Sequence, residues 1–205
     1  MKPAIFHPQA LAAIRSFPAE VRRELGKAIF DLQRGEVLKM PLSRPMAEIA
    51  AGGEELRIRD RSGSYRAFYF TRSVRGVLVF HAFVKKSQKT ARREIVLGAK
   101  RLKELLMIKK KGVLTRTAGD LAKALGLAPA DGAEIELRSE LNSKIVAEVK
   151  RRGLTHAEVA RLARSSRTRV TAILNHNTKD VSTDLLLRVL YALGWTARVK
   201  FKRAA

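Results

Sequence analysis

The stretch FHAFVKKSQKTARREI, residues 80–95, passes from an apolar run into five Lys and Arg before the next acid, Glu94. Lys85, Lys86 and Lys89 fall just past a β-like run. Upstream, ELRIRD sets Arg57 and Arg59 on the positions that alternate with Leu56 and Ile58. Side chains two apart on a strand share a face, so these two guanidiniums point the same way. In SYRAFYF, Arg66 alternates with Tyr65 and Tyr69. In a meander such cations can converge on one end of a sheet, with Tyr65, Tyr69 or Phe83 as stacking surfaces for bases. Surface Lys and Arg ordinarily do no more than carry solvent, and a cation strip that only binds RNA is the plainer reading. His81, mid-strand between Phe80 and Phe83, reads first as a structural histidine, with a catalytic role as the lesser alternative.

A second set of chemistry-bearing residues lies in RRGLTHAEVARLARSSRTRVTAILN. Thr155 and Glu158 form a capping-box pair, with Leu154 and Val159 at staple positions. Ser166 caps a second helix that would bury Val170, Ile173 and Leu174. Two short helices, 155–163 and 166–175, joined by a tight turn match a helix-turn-helix. Its second helix would turn Arg167, Thr168, Arg169 and Thr171 outward, with Asn175 further along. Arg can contact guanine through two hydrogen bonds, and Thr can meet a thymine methyl or a phosphate.

Composition favours a polyanionic partner for both sets. The 205 residues contain 42 Lys and Arg against 19 Asp and Glu, a formal net charge of +23. Residues 1–106 hold 22 of these cations against 10 acids, and the remainder 20 against 9, so neither half neutralises the other. Nucleic acid therefore leads as partner. Hydrophobic residues make up 46%, enough for packed cores. The absence of cysteine excludes disulfides and thiolate chemistry. His7, His81, His156 and His176 show no metal-ligand spacing, so neither metal nor cofactor is expected. No apolar run approaches membrane-spanning length, and Pro3, His7 and Pro8 interrupt any signal core. A cytoplasmic protein with no membrane partner is the expectation.

The elements that must position these residues are legible from periodicity. FPAEVRRELGKAIFDLQRG predicts a helix with Pro18 in its first turn, a stripe of Val21, Leu25, Ala28 and Leu32, and Gly35 as its stop. Strands are expected over 54–60, 65–72 and 76–84, joined by the short turns RSGS and SVRG. A helix then puts Ile95, Ala99, Leu102 and Leu106 on that sheet. MIKKKGVLTR, 107–116, reads as a joint, and its Met107 would suit the start of a second coding sequence. A natural fusion, an engineered one and two joined coding sequences are all compatible with it. STDLLLRVLYALG gives a last helix capped by Ser182 and ended by Gly194. WTARVKFK, 195–202, alternates as a half-buried strand with few partners in its own half, so pairing with a second subunit is expected.

ELRIRD, SYRAFYF, HAFVKKSQKTARREI and AKRLKEL together resemble the phage Gp49-like branch of the RelE/HigB toxins, over nearly all of 1–106. The helix-turn-helix stretch resembles the HTH/XRE repressors, specifically HigA-like antitoxins. That family commonly has Gln where His156 stands, a residue that contacts phosphate and orients the recognition helix. It commonly has Gly where Arg164 stands.

The resemblances imply an α+β chain: a RelE-like domain of helices on an antiparallel sheet, then an all-α helix-turn-helix domain with a C-terminal dimerising strand. Domains of 1–106 and 117–205 would flank the joint at 107–116. The implied activity is metal-independent cleavage of mRNA on the ribosome, an RNA 2′-OH attacking the adjacent phosphate and expelling the 5′-oxygen. By motif position Arg57, Arg59 and Arg66 are the basic strand residues, with Arg57 and Arg66 as phosphate clamps. Lys85, Lys86 and Lys89 occupy the basic segment, with Lys86 or Lys89 as the proton-transfer candidate. Some relatives use a helix Tyr that this helix lacks, so the general base stays unassigned. The antitoxin half would neutralise the nuclease, repress its own operator DNA and form a homodimer. The acidic run DGAEIELRSE, with Asp131, Glu134, Glu136 and Glu140, or the AGDLAKALGLA before it, would contact the nuclease half near its cationic end. An ordinary helix start also explains Asp131 and Glu134. The alternative for the whole chain is a non-enzymatic repressor whose first half is a degenerate RNA-binding or docking domain.

Overall fold

In a computed structural model, residues 1–87, 89–107 and 112–198 are described. They form two compact units, Met1–Ser139 and Glu140–Ala205, whose division falls inside one helix.

The first unit is built on a six-stranded sheet. Its strands are β1 (Ala4–Phe6), β2 (Ser43–Pro45), β3 (Gly53–Asp60), β4 (Gly63–Ser73), β5 (Gly76–Val84) and β6 (Val113–Thr115), in the order β2-β3-β4-β5-β1-β6. The expected meander is β3–β4–β5, antiparallel throughout. The sheet is not wholly antiparallel, because β1 runs parallel to β5. Three residues between Pro3 and His7 carry no alternation long enough to announce β1. Gly76 makes that pairing possible: a Cβ there would stand 2.2 Å from the carbonyl oxygen of Pro3. Beyond the joint, β6 adds to β1 antiparallel and extends the sheet.

Each face of the sheet has its own core. Helices α1 (Pro8–Arg15) and α2 (Ala19–Arg34) cover the face bearing Leu56, Ile58, Tyr65, Ala67 and Tyr69. The predicted α2 stripe is buried at Val21, Leu25, Ala28 and Leu32, and Gly35 ends the helix at φ 93°. The other face bears Phe68, Leu78 and Phe80 under α3 (Arg92–Leu106). Here the buried residues are Gly98, Leu102 and Leu105, whereas Leu106 is 46% exposed. Gly98 lets α3 approach closely, since a Cβ there would meet the Phe68 ring at 2.9 Å.

Residues past the joint join this core. Helix α4 (Ala118–Ala124) opens on the capping box Thr117/Asp120, and α5 (Pro129–Arg152) follows. Ala118, Leu121, Leu125 and Ile135 pack in the α1–α2 cluster. Arg15 donates to the Ala124 carbonyl at 2.7 Å and Arg22 to Leu125 at 2.9 Å, satisfying carbonyls at the α4 end. Arg23 reaches Asp131 at 2.6 Å, and Ser139 donates to buried Asp31 at 2.6 Å. Of the expected joint, residues 108–111 lie outside the described residues.

The second unit holds the remainder of α5 with α6 (His156–Leu162), α7 (Arg167–Leu174) and α8 (Thr183–Ala192) around Ile145, Val159, Val170, Leu186 and Val189. The expected caps Thr155, Ser166 and Ser182 each accept a backbone N–H. Gly194 follows α8 at φ 85°. The expected terminal strand does not form over 195–198, which carry no regular structure, and 199–202 lie outside the described residues. Trp195 instead stacks beneath Lys144, whose Nζ is 3.3 Å from the ring centroid. Among the described residues no helix is long and apolar enough to cross a membrane.

Candidate nucleic-acid interface

On the α3 face of the sheet, Arg57 of β3 stands directly opposite Arg66 of β4, and Arg66 opposite Phe83 of β5. Residues in register share a face, so the two guanidiniums are neighbours, as strand alternation requires. Between them lies Glu55, two residues before Arg57 and fully buried. Its carboxylate accepts from Arg44 Nε at 2.8 Å and lies 3.6 Å from Arg66 Nε and 3.9 Å from Arg57 Nε. Three cations thus surround one carboxylate, and the surplus positive charge makes an anion welcome.

The three arginines differ in reach. The Arg66 side chain is 8% exposed, with Nη1 donating to the Tyr65 carbonyl at 2.8 Å. Arg57 and Arg44 side chains are 29% and 38% exposed. Burial lowers the Arg66 pKa, opposed by Glu55 and assisted by Arg57, Arg44 and Arg59. Burial likewise lowers that of Lys85, which feels Glu55, Arg66, Arg44 and Arg57. Lys85 therefore belongs to the arginine cluster electrostatically. Arg59 stands opposite Ser64 near the strand end and is exposed.

Lys85, Lys86 and Lys89 line a small recess together with Phe83, Ser87, Arg93 and Glu94. Phe83 is thus common to the recess and the arginine cluster. Behind it the buried His81 ring stacks on Phe83 at 5.4 Å between centroids. Arg101 donates to His81 Nδ1, which leaves the proton on Nε2 to be donated to Glu94 Oε2 at 2.8 Å. Burial lowers the His81 pKa and outweighs Glu94, which raises it. Burial pushes the Glu94 pKa up, yet hydrogen bonds from His81 and Arg93 hold it below the ordinary carboxylate value.

The two tyrosines expected to stack on bases lie elsewhere. Strand alternation puts Tyr65 and Tyr69 on the α1–α2 face, 5% and 1% exposed. Tyr65 packs on Phe17 at 4.8 Å, and Tyr69 donates to Glu54 at 2.8 Å. Burial, with the carboxylate of Glu54, raises the Tyr69 pKa far above its ordinary value. Neither ring offers a face to a base, and Phe83, half-exposed, is the aromatic beside the cations. Sequence reading missed Glu55 and Arg44. Alternation did place Glu55 on the Arg57 face; the short segment carrying Arg44 has no periodic signal.

Within the first unit, Asp131, Glu134 and Glu136 of the acidic run find partners other than these cations or lie exposed. Asp131 binds Arg23 on α2 and accepts from the Ala128 N–H at 2.8 Å, so it both docks and starts α5. Glu134 is 57% exposed, 3.9 Å from Arg138, and Glu136 is exposed. Glu140, exposed, begins the second unit. AGDLAKALGLA does pack on the first half, but on α2, across the sheet from Arg57 and Arg66.

In the second unit Arg167, Thr168 and Arg169 are exposed on the first turn of α7. That turn contains no acid, so two guanidiniums and the positive end of the helix dipole coincide, a combination that favours an anion. Thr171 is half-buried, and its hydroxyl hydrogen-bonds His156 Nδ1 at 2.9 Å, tying the start of α6 to α7. Asn175 is the half-buried C-cap of α7. Arg164 in the turn adopts φ 46°, a conformation that favours glycine.

Comparison with known families agrees with both halves. Residues 12–103 match the family described as phage derived protein Gp49-like (DUF891), and residues 122–202 match a helix-turn-helix domain family. No curated protein and no solved structure matches the chain. The chain carries a Gp49-like domain of the RelE-related toxin families in its first half and a helix-turn-helix domain in its second, the arrangement of a toxin fused to an antitoxin.

Proposed function

We propose that the first half is a ribosome-dependent mRNA endonuclease and that the second half neutralises it and represses its own operator. The carrying observation is the set of Arg44, Arg57 and Arg66 around buried Glu55, with Phe83 opposite Arg66 and also lining the lysine recess. Arg57 and Arg44, the more exposed pair, grip the scissile phosphate, and Arg66 lies beneath them as a fixed charge. Lys86 or Lys89 neutralises the charge that develops on phosphorus and hands a proton to the leaving oxygen. Arg59 extends the track for the RNA backbone. Catalysis by such a site is electrostatic stabilisation plus proton transfer, with no cofactor required.

On this reading a toxin domain of 1–106 and an antitoxin domain of 117–205 meet through the arm formed by 112–139. The helix-turn-helix match begins within α4, so the arm belongs with the antitoxin side of the family pattern. The exposed Arg167, Thr168 and Arg169 read base edges, and His156 holds α7 in register with the duplex. A two-fold dimer of this domain would place two α7 helices about one DNA turn apart, roughly 34 Å.

The test is cleavage of ribosome-bound mRNA, mapped by primer extension, in cells producing the full chain. Residues 1–106 alone would expose Leu25 and its neighbours where α4 packs, so the arm is loosened in place with Leu121→Ala, and retention of the fold is checked by circular dichroism. Cleavage by the loosened chain that disappears with Arg57→Ala supports the nuclease. Absence of cleavage in every form, with a protected operator in a footprint, supports a non-enzymatic repressor with a degenerate first half.

A further inference from the structure

We propose that Glu94 is the proton-accepting group of the RNA-cleaving site and that His81 and Arg101 are positioning residues that aim it. The inference rests on the nuclease reading above and supplies the base that reading leaves open.

Glu94 is the one carboxylate in a recess whose other charged walls, among the described residues, are Lys85, Lys86, Lys89 and Arg93. Its side chain is 16% exposed, enough to face the recess while its back is held. That back is His81, on the central strand β5 and 3% exposed, so the aim of the carboxylate is set by the sheet. A histidine that merely fills a core needs one partner. His81 has a guanidinium on its second nitrogen, and Arg101 is itself steadied by Gln9, whose Oε1 accepts from its Nε at 3.1 Å. This arrangement fixes one tautomer and opposes protonation of the ring, so His81 remains a donor to Glu94. The second carboxylate oxygen accepts from Arg93, 83% exposed, at 3.0 Å. An exposed arm of that kind is free to move onto an incoming phosphate and leave the oxygen for a hydroxyl.

In the step, the RNA 2′-OH gives its proton to Glu94 as the O2′–P bond forms. The P–O5′ bond breaks with its electron pair on O5′, which takes a proton from the Lys86 ammonium. The products are a 2′,3′-cyclic phosphate and a 5′-hydroxyl, and water returns both side chains to their starting states.

Groups facing this carboxylate come from every neighbouring element: His81 from β5, Lys85, Lys86 and Lys89 from the segment after it, Arg93 and Arg101 from α3. His7 lies next along the network, its Nε2 2.9 Å from Glu104. All but Glu104 favour ionised Glu94, so the acidic limb of the rate profile lies below the ordinary carboxylate range.

The experiment is single-turnover cleavage of ribosome-bound, end-labelled RNA by excess full-length Leu121→Ala protein, shown folded by circular dichroism, with affinity measured on a 2′-deoxy analogue. Glu94→Gln keeps the acceptor for His81 and is expected to slow cleavage by about 100-fold or more at unchanged affinity. His81→Leu is expected to cost about tenfold through the lost aim of the carboxylate, and to move the acidic limb upward. His81→Gln restores the N–H donor and brings the limb back. Cleavage by Glu94→Gln at the parental rate, or an unmoved limb in His81→Leu, overturns the assignment alone. A parent that cleaves nothing overturns it together with the nuclease reading.

Discussion

Glu55 Oε1 lies 3.6 Å from Arg66 Nε on the adjacent strand, and neither atom has a hydrogen-bond partner among the described residues. The two charges are held by proximity, within a cluster that contains more cation than anion. Removing the carboxylate leaves the buried Arg66 without its counter-charge, beside the partly exposed Arg44 and Arg57. Breaking one partner from a buried pair typically costs about 3–5 kcal/mol. Glu55→Gln should therefore lower the unfolding free energy by about 3 kcal/mol in urea titration, and added polyphosphate should restore part of it. Stability equal to the parent would show that Glu55 does not organise the cluster.

Much of this arrangement is legible in the sequence, because it follows from the two-residue period of a strand. That period put Arg57 and Arg59 on one face and, applied to β4, set Arg66 apart from Tyr65 and Tyr69. It also implied that the face opposite the arginines carries the tyrosines; that α1 and α2 cover that face was the missing fact. The helix-turn-helix was legible through its caps, whose hydrogen bonds are local. What was not legible depends on distant partners. β1 and β6 are three residues each; β1 exists because β5 offers an edge, and β6 because β1 then offers the next. The α4 arm reads as an ordinary amphipathic helix until α2 is there to receive it.

Acid should weaken the first unit in two stages. The folded chain holds His81 below its ordinary value of 6.5, so as pH falls the unfolded chain takes up that proton first. Stability from this group is full above 6.5 and is lost as pH falls toward the folded value. Glu94, depressed from 4.5, adds a loss that begins below that pH. Thermal midpoints measured from pH 8 downward should fall from about 6.5, and His81→Gln should remove the upper stage while leaving the lower. A midpoint flat down to pH 5 would contradict the neutral, locked imidazole.

Docking of the arm rests on apolar side chains under α2 with arginines at its rim. Ile135 is 3% exposed, and an added Cβ on Gly26 would stand 2.9 Å from its Cδ1. Ile135→Ala should cost about 2–4 kcal/mol by loss of burial and the cavity left behind. Arg23→Ala, at a pair whose arginine is 37% exposed, should cost under about 1 kcal/mol. Hydrogen exchange of α4 amides distinguishes them: marked acceleration in the first variant, little in the second. The reverse order would mean that charge, not burial, holds the arm.

The turn between α6 and α7 carries the opposite kind of prediction, a gain. Arg164 holds φ 46° with a Cβ that this region disfavours, a cost of roughly 1 kcal/mol. Arg164→Gly should stabilise the second unit by about that amount, read as a higher unfolding midpoint. Operator affinity separates this role from a contact made by the guanidinium itself. If Arg164 touches phosphate, the same substitution weakens binding and flattens its salt dependence by about one unit of slope. Arg167→Ala and Arg169→Ala should each cost about 1–3 kcal/mol on the preferred operator, with relaxed specificity where a base is read. His156→Ala acts differently, since its ring holds Thr171 at 2.9 Å and fixes the pitch of α7. It should reduce discrimination between operator and random duplex more than it reduces binding to random duplex. Equal loss on both would reduce His156 to a phosphate contact and leave α7 oriented by its buried Val170 and Ile173 alone.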